Sequence, residues 1–129
     1  GSLDIIDYKT GALPKAGDIN LGMSPQLPLE AAIAAFGGFD GVPKGPVGGL
    51  AFWKLGGGNP PGLINPVEGD PMELARQALE GLQRLVHEFD RPETPYRAMP
   101  DPAFAPHYSD YGHLARIKEW SVGAGGEGE

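Results

Sequence analysis

The stretch Leu3–Gly11, Leu-Asp-Ile-Ile-Asp-Tyr-Lys-Thr-Gly, limits most strongly what this chain can fold into. An apolar run carries an acid and a lysine two positions apart and stops at Thr10-Gly11. Strand side chains alternate between faces, so Leu3, Ile5, Asp7 and Lys9 share one side and Asp4, Ile6 and Tyr8 the other. Isoleucine on both sides predicts a strand covered on both faces, as in α/β proteins. Asp7 and Lys9 then sit at the exit end of a buried strand, about 6.6 Å apart along it. A carboxylate and an ammonium held side by side there can bind a metal ion and a phosphate. The same tripeptide also fits an ordinary surface ion pair, worth under about 1 kcal/mol.

Composition narrows the classes. The chain has 129 residues, enough for one modest core. Glycine (21) and proline (14) cluster between periodic segments, where they act as punctuation and loops. With no cysteine, disulfides, thiolate metal sites and cysteine-ligated iron–sulfur clusters are excluded. No stretch reaches about 18 apolar residues and no signal peptide opens the chain, so the expectation is a soluble cytoplasmic protein with no membrane partner. The net charge of −7 lacks the basic footprint of a free-standing nucleic-acid binder. If DNA is the partner, other domains must supply positive surface. Because an interior strand comes almost first, a fragment that starts mid-domain is expected.

Along the chain, Ala12–Met23 reads as loop, with Lys15 a solvated charge or a phosphate contact. Ser24-Pro25 opens a helix, with Ser24 as N-cap and Pro25 at the first helical position, and Gly37-Gly38 ends it. Its four alanines allow close packing on a sheet. Gln26 and Glu30, one turn apart, either form a solvent stripe or face the mouth where the Asp7–Lys9 strand ends. Phe39–Gly49 reads as loop, Leu50–Leu55 as a second strand with Trp53 in the core, and Asn59–Gly69 as a connector. Asp70-Pro71-Met72-Glu73 starts a long helix, with an apolar stripe running from Ala75 to Phe89 laid on the core and His87 on the polar side. Arg91–Pro106 holds five prolines and is irregular. His107, Asp110 and His113 fit a hydrogen-bonded surface turn better than a metal site, and a short helical stretch, Leu114–Trp120, follows. Gly123–Glu129 is a flexible tail.

Two motifs in fixed order, Asp-Tyr-Lys-Thr-Gly at 7–11 on a strand and Gln-Leu-Pro-Leu-Glu at 26–30 opening a helix, resemble the PD-(D/E)XK nuclease superfamily, specifically its RecB-like branch. The run from Leu3 to about Trp120 is similar to the C-terminal nuclease region of AddB-type double-strand-break repair subunits. The resemblance implies an α/β fold with a partial restriction-endonuclease-like core, a mixed sheet flanked by helices and truncated at the N-terminus. Residues 1–122 would be the C-terminal part of the nuclease domain.

It also implies magnesium-dependent hydrolysis of DNA, with Asp7 as a metal ligand, the Tyr8 backbone carbonyl as another, and Lys9 orienting the water or offsetting charge at the phosphate. Gln26 would brace the site or contact DNA. Glu30 stands where the family often has tyrosine, so no role carries over to it. The family's other metal-binding aspartate lies on a preceding strand, before Gly1, and Asp4 on the opposite strand face is a poor substitute. The chain alone is therefore expected to be weak or inactive. Relatives that pin their C-terminal segment with an iron–sulfur cluster use cysteines; here Phe104–Trp120 would dock by its aromatics, Leu114 and Ile117. The implied partners are DNA and an AddA-like helicase–nuclease subunit. A different class of reading is a non-catalytic module that keeps the fold to dock onto a helicase.

Overall fold

The computed structural model describes residues 1–97 and Leu114. In chain order the elements are β1 (Leu3–Lys9), α1 (Ala16–Asn20), α2 (Gln26–Phe36), β2 (Val47–Leu55), β3 (Gly62–Pro66) and α3 (Pro71–Phe89). The three strands form one sheet in the order β1-β2-β3, with β1 parallel and β3 antiparallel to β2. The expected mixed sheet flanked by helices is what the chain forms. Residues 1–91 make one compact unit and 92–129 cluster as a second. His107, Asp110, His113, the Leu114–Trp120 helix apart from Leu114 itself, and the Gly123–Glu129 tail lie outside the described residues.

The parallel pairing decides which side chains meet. Ile5 stands beside Leu50, Asp7 beside Phe52 and Lys9 beside Lys54. On that face Val47, Leu50 and Phe52 are buried and meet Leu27, Ala31, Ala34, Leu74 and Ala75 from the helices. Alanine on α2 brings the helix close enough to the sheet for Phe52 to be sealed at 1% exposure. Near its start β1 presses close on β2: a Cβ at Gly49 would stand 2.8 Å from Asp4 Oδ1.

Both larger helices lie on one face of the sheet, and this corrects the reading of β1 as doubly covered. Ile6 (40%), Tyr8 (61%) and Ile64 (60%) are exposed on the other face. Trp53 is also there, half-buried and edge-on to Tyr8 with ring centroids 5.7 Å apart, so it is not part of the core. Period-2 alternation fixes which residues share a face but not whether a layer covers it.

Several boundaries move. The segment read as loop at 12–23 contains α1, whose Ile19 reaches the core. Ser24 does not cap α2: the helix begins at Gln26, with Pro25 at the N-cap and no side-chain cap bond. The Pro25 carbonyl starts the ladder by accepting from Leu29 N–H at 2.9 Å. Pro28 falls in the first turn, where its missing N–H costs nothing to the ladder. At the other end Gly37 takes φ +78°. Gly37 N–H donates to Ala34 O and Gly38 N–H to Ile33 O, closing the helix as a left-handed glycine turn. Strand β2 starts at Val47 rather than Leu50, and β3 turns the expected connector into a hairpin arm.

Helix α3 starts as its sequence requires. Asp70 accepts from Glu73 N–H at 2.7 Å, with Pro71 at the first helical position. Glu73 is held down to about pKa 2, first by its hydrogen bond from Arg76 and then by that from Gln77. Removing the cap with Asp70→Ala is expected to cost about 1 kcal/mol, read as a lower midpoint in urea. The apolar stripe, however, is buried only at Leu74 and Ala75. Leu82 (42%), Leu85 (54%), Val86 (60%) and Phe89 (39%) are exposed. At about 1.5 Å per residue, α3 is about 28 Å long and α2 about 16 Å, so α3 outreaches its neighbour. His87 is exposed, as expected. No helix among the described residues is long and apolar enough to cross a membrane.

Candidate functional site

Strand β1 ends and α2 begins at the same edge of the sheet, and that coincidence builds the site. Alternation along β1 sends Asp7 and Lys9 toward the helix side. Gln26, the first residue of α2, arrives from across the gap. Lys9 Nζ lies 2.8 Å from Asp7 Oδ2 and donates to Gln26 Oε1 at 3.0 Å. Gln26 Nε2 donates to Asp7 Oδ1 at 3.0 Å, which closes a ring of three side chains. The second proton of the same amide goes to Glu30 Oε1 at 3.2 Å.

This pattern leaves the Gln26 amide only one sensible orientation. Turned over, its carbonyl would face two carboxylates and its NH2 an ammonium. Glu30, one helical turn on, is therefore the second acceptor that holds Gln26 in place. The solvent-stripe reading of Gln26 and Glu30 is set aside, since both face the end of β1.

Asp7 is largely buried, with 17% of its side chain exposed, and Lys9 is 31% exposed. The Lys9 ammonium lies 5.9 Å from the Phe52 ring centroid, so an apolar floor sits under the charged pair. Asp7 Oδ2 is shielded from water yet receives no hydrogen bond; Lys9 reaches it at ion-pair distance without the geometry of a directed donor. That oxygen keeps a lone pair open, which fits a hard cation that takes oxygen ligands. Among the described residues no group of three or more His, Cys, Asp or Glu gathers. Asp7 thus stands here as a single carboxylate with one open oxygen.

Of the residues expected at the site, Asp7, Lys9 and Gln26 come together. The Tyr8 ring does not join them, because alternation turns it to the opposite face beside Trp53. Only its backbone belongs to the strand end that carries the site. Glu30 faces the strand end together with Gln26, as one of the two sequence readings had it, although no role was assigned to it. One neighbour escaped the sequence reading. Lys54 was not singled out; it stands beside Lys9 only through the β1–β2 register, which no local pattern encodes.

The family model of the PD-(D/E)XK nuclease superfamily matches residues 1–110, most of the chain. The match spans β1, α2 and the ring of Asp7, Lys9 and Gln26. No curated protein and no solved structure matches the chain.

Proposed function

We propose a function from one premise: the chain belongs to the PD-(D/E)XK nuclease superfamily. We read it as the catalytic strand and helix of a nuclease that hydrolyses DNA phosphodiester bonds with magnesium. The observation that carries this is the closed contact of Asp7, Lys9 and Gln26 at the end of β1. Asp7 would hold the ion through its open Oδ2, with the Tyr8 carbonyl as a second donor. Magnesium keeps several waters and often takes only one or two carboxylates, which suits so sparse a donor set. When bound, it lowers the pKa of the attacking water and offsets charge at the phosphorus.

The protein groups divide the remaining work. Lys9 donates to the Gln26 carbonyl and forms an ion pair with Asp7, so its ammonium is held in place before substrate arrives. From there it orients the water or meets charge on the scissile phosphate. Gln26 keeps Asp7 and Lys9 at their separation, and Glu30 keeps Gln26 from turning over. Phe52 lies beneath and excludes water from below.

The finer assignment is to the RecB-like branch, as the C-terminal nuclease region (residues 1–122) of an AddB-type double-strand-break repair subunit. The order and wording of the two motifs support it. A helicase partner is supported by the net charge of −7: the chain's own grip on DNA is local, and positive surface from elsewhere would strengthen it. The competing reading is a non-catalytic docking module. It draws on the exposed apolar side of α3 at Leu82, Leu85, Val86 and Phe89.

Magnesium titration followed by amide NMR separates the two readings. Shifts confined to Asp7–Lys9 and Gln26 are the expected result. A spectrum unchanged at millimolar magnesium would favour the docking module.

A further inference from the structure

We infer that Lys54 is a second phosphate-binding cation, set beside Lys9 to hold the DNA backbone next to the scissile phosphate. The inference rests on the nuclease reading above and adds a substrate contact to it.

The register of the sheet carries the argument. Lys9 and Lys54 are direct partners across β1 and β2, the last and the next-to-last residues of their strands. Alternation puts Lys54 on the face of Phe52, the same face as Asp7 and Lys9. Like charges directly opposite one another on one sheet face repel. At a half-buried position an anion between them would relieve that repulsion.

For Lys9 that anion is present. Its ammonium has Asp7 at 2.8 Å and the Gln26 carbonyl at 3.0 Å. The Lys54 side chain makes no hydrogen bond or ion pair among the described residues. The acids nearby are committed: Asp7 to Lys9 and Gln26, Glu30 to Gln26. The result is one unanswered positive charge at the rim of the site. It stands at the carboxyl ends of two parallel strands, where open α/β sheets place their ligands.

A phosphodiester suits this position better than a small carboxylate does. Strands in a sheet lie about 4.8 Å apart, so two lysines on adjacent strands can touch neighbouring oxygens of a single backbone. Lysine also binds phosphate as a point charge without demanding a fixed fork geometry. A contact of this kind positions the nucleic acid and reads no sequence.

The test is DNA affinity of the whole chain as a function of salt. A fluorescent duplex of about a dozen base pairs is titrated by anisotropy in calcium, which supplies the divalent charge while slowing cleavage. Lys54→Met is compared with wild type, with Lys54→Arg and with Lys44→Met, a control at an exposed loop position. Losing one phosphate contact should reduce the slope of log affinity against log salt by about 0.9. The gap between variant and wild type should then change about threefold between 50 and 200 mM salt. Arginine should restore the slope, and Lys44→Met should leave it near wild type.

If wild type binds magnesium and DNA but Lys54→Met keeps the wild-type slope, the assignment of Lys54 is wrong and the nuclease reading stands. An equal loss in Lys44→Met would also overturn it, because the effect would then be bulk charge. A wild type that binds magnesium but shows no salt-dependent DNA binding would overturn the assignment of Lys54 alone, and one that responds to neither would overturn the underlying reading along with it. Thermal melts of each variant show that any loss is not unfolding.

Discussion

Replacing Asp7 with alanine is expected to abolish the response of the site to Mg2+ or Mn2+ and to lower metal-dependent DNA cleavage by about a thousandfold. A bound metal supplies several kcal/mol of charge stabilisation in the transition state, and each 1.36 kcal/mol is tenfold in rate. Asp7 brings to this site its one shielded oxygen without a hydrogen bond among the described side chains. Asp7→Asn is a sharper variant than alanine. Its amide oxygen can still accept from Gln26, but its NH2 group would face the Lys9 ammonium at the 2.8 Å position now held by a carboxylate oxygen.

Lys9→Met separates the two halves of the chemistry. It should keep the response to Mn2+, measured by paramagnetic broadening around β1, while cleavage falls. If Asp7→Ala broadens in Mn2+ as wild type does, the ion does not bind here and the assignment of Asp7 fails. Because broadening is read without turnover, the outcome does not depend on how active this chain is alone.

The largest expected loss of stability follows from Phe52→Ala. Phe52 is 1% exposed and sits where β2, β1 and the helices meet. Truncating a buried aromatic costs about 3–5 kcal/mol, combining lost transfer energy with the cavity left behind. Small domains are stable by about 5–15 kcal/mol, so this one change removes much of the margin. A urea midpoint reports it, with the slope checked for two-state behaviour. Ile64→Ala, an equally apolar truncation at 60% exposure, should stay within about 0.5 kcal/mol of wild type.

Phe52→Leu adds a reading specific to the site. It keeps most of the volume while removing the ring beneath Lys9, 5.9 Å from the ammonium. Stability should fall only modestly, while the Lys9 side chain loses its aromatic floor. Equal destabilisation by Phe52→Ala and Ile64→Ala would mean that the core is not centred on Phe52.

The elements that could be read from sequence are those fixed by local chemistry. Asp70, Pro71 and Glu73 form a complete start signal within four residues, and α3 begins there. Gly37 ends α2 because the turn needs a left-handed residue. β1 stops at Lys9, just before Thr10-Gly11. The elements that were missed rest on distant partners. α1 is a single short turn with no side-chain cap, held by Ile19 reaching the core. β3 has no sequence period of its own and exists by pairing with β2. The exposed half of the α3 stripe and the open face of Tyr8 and Trp53 show the same limit in reverse, because amphipathicity gives the side that prefers burial but not what lies against it.

The site divides along the same line. The sequence by itself determined that Asp7 and Lys9 share a face, since a strand alternates with period 2, and that Gln26 and Glu30 share another, since a helix repeats every 3.6 residues. Only the tertiary structure decided that those two faces meet, that the Gln26 amide spans both carboxylates, and that Lys54 stands beside Lys9. Apart from the Gln26–Glu30 bond within α2, these bring together residues 17 to 45 positions apart, set by how α2 crosses from β1 to β2 and by the register in which the two strands pair. Periodicity places a side chain on its own element. Meeting a partner on another element depends on packing, and packing is a property of the whole fold.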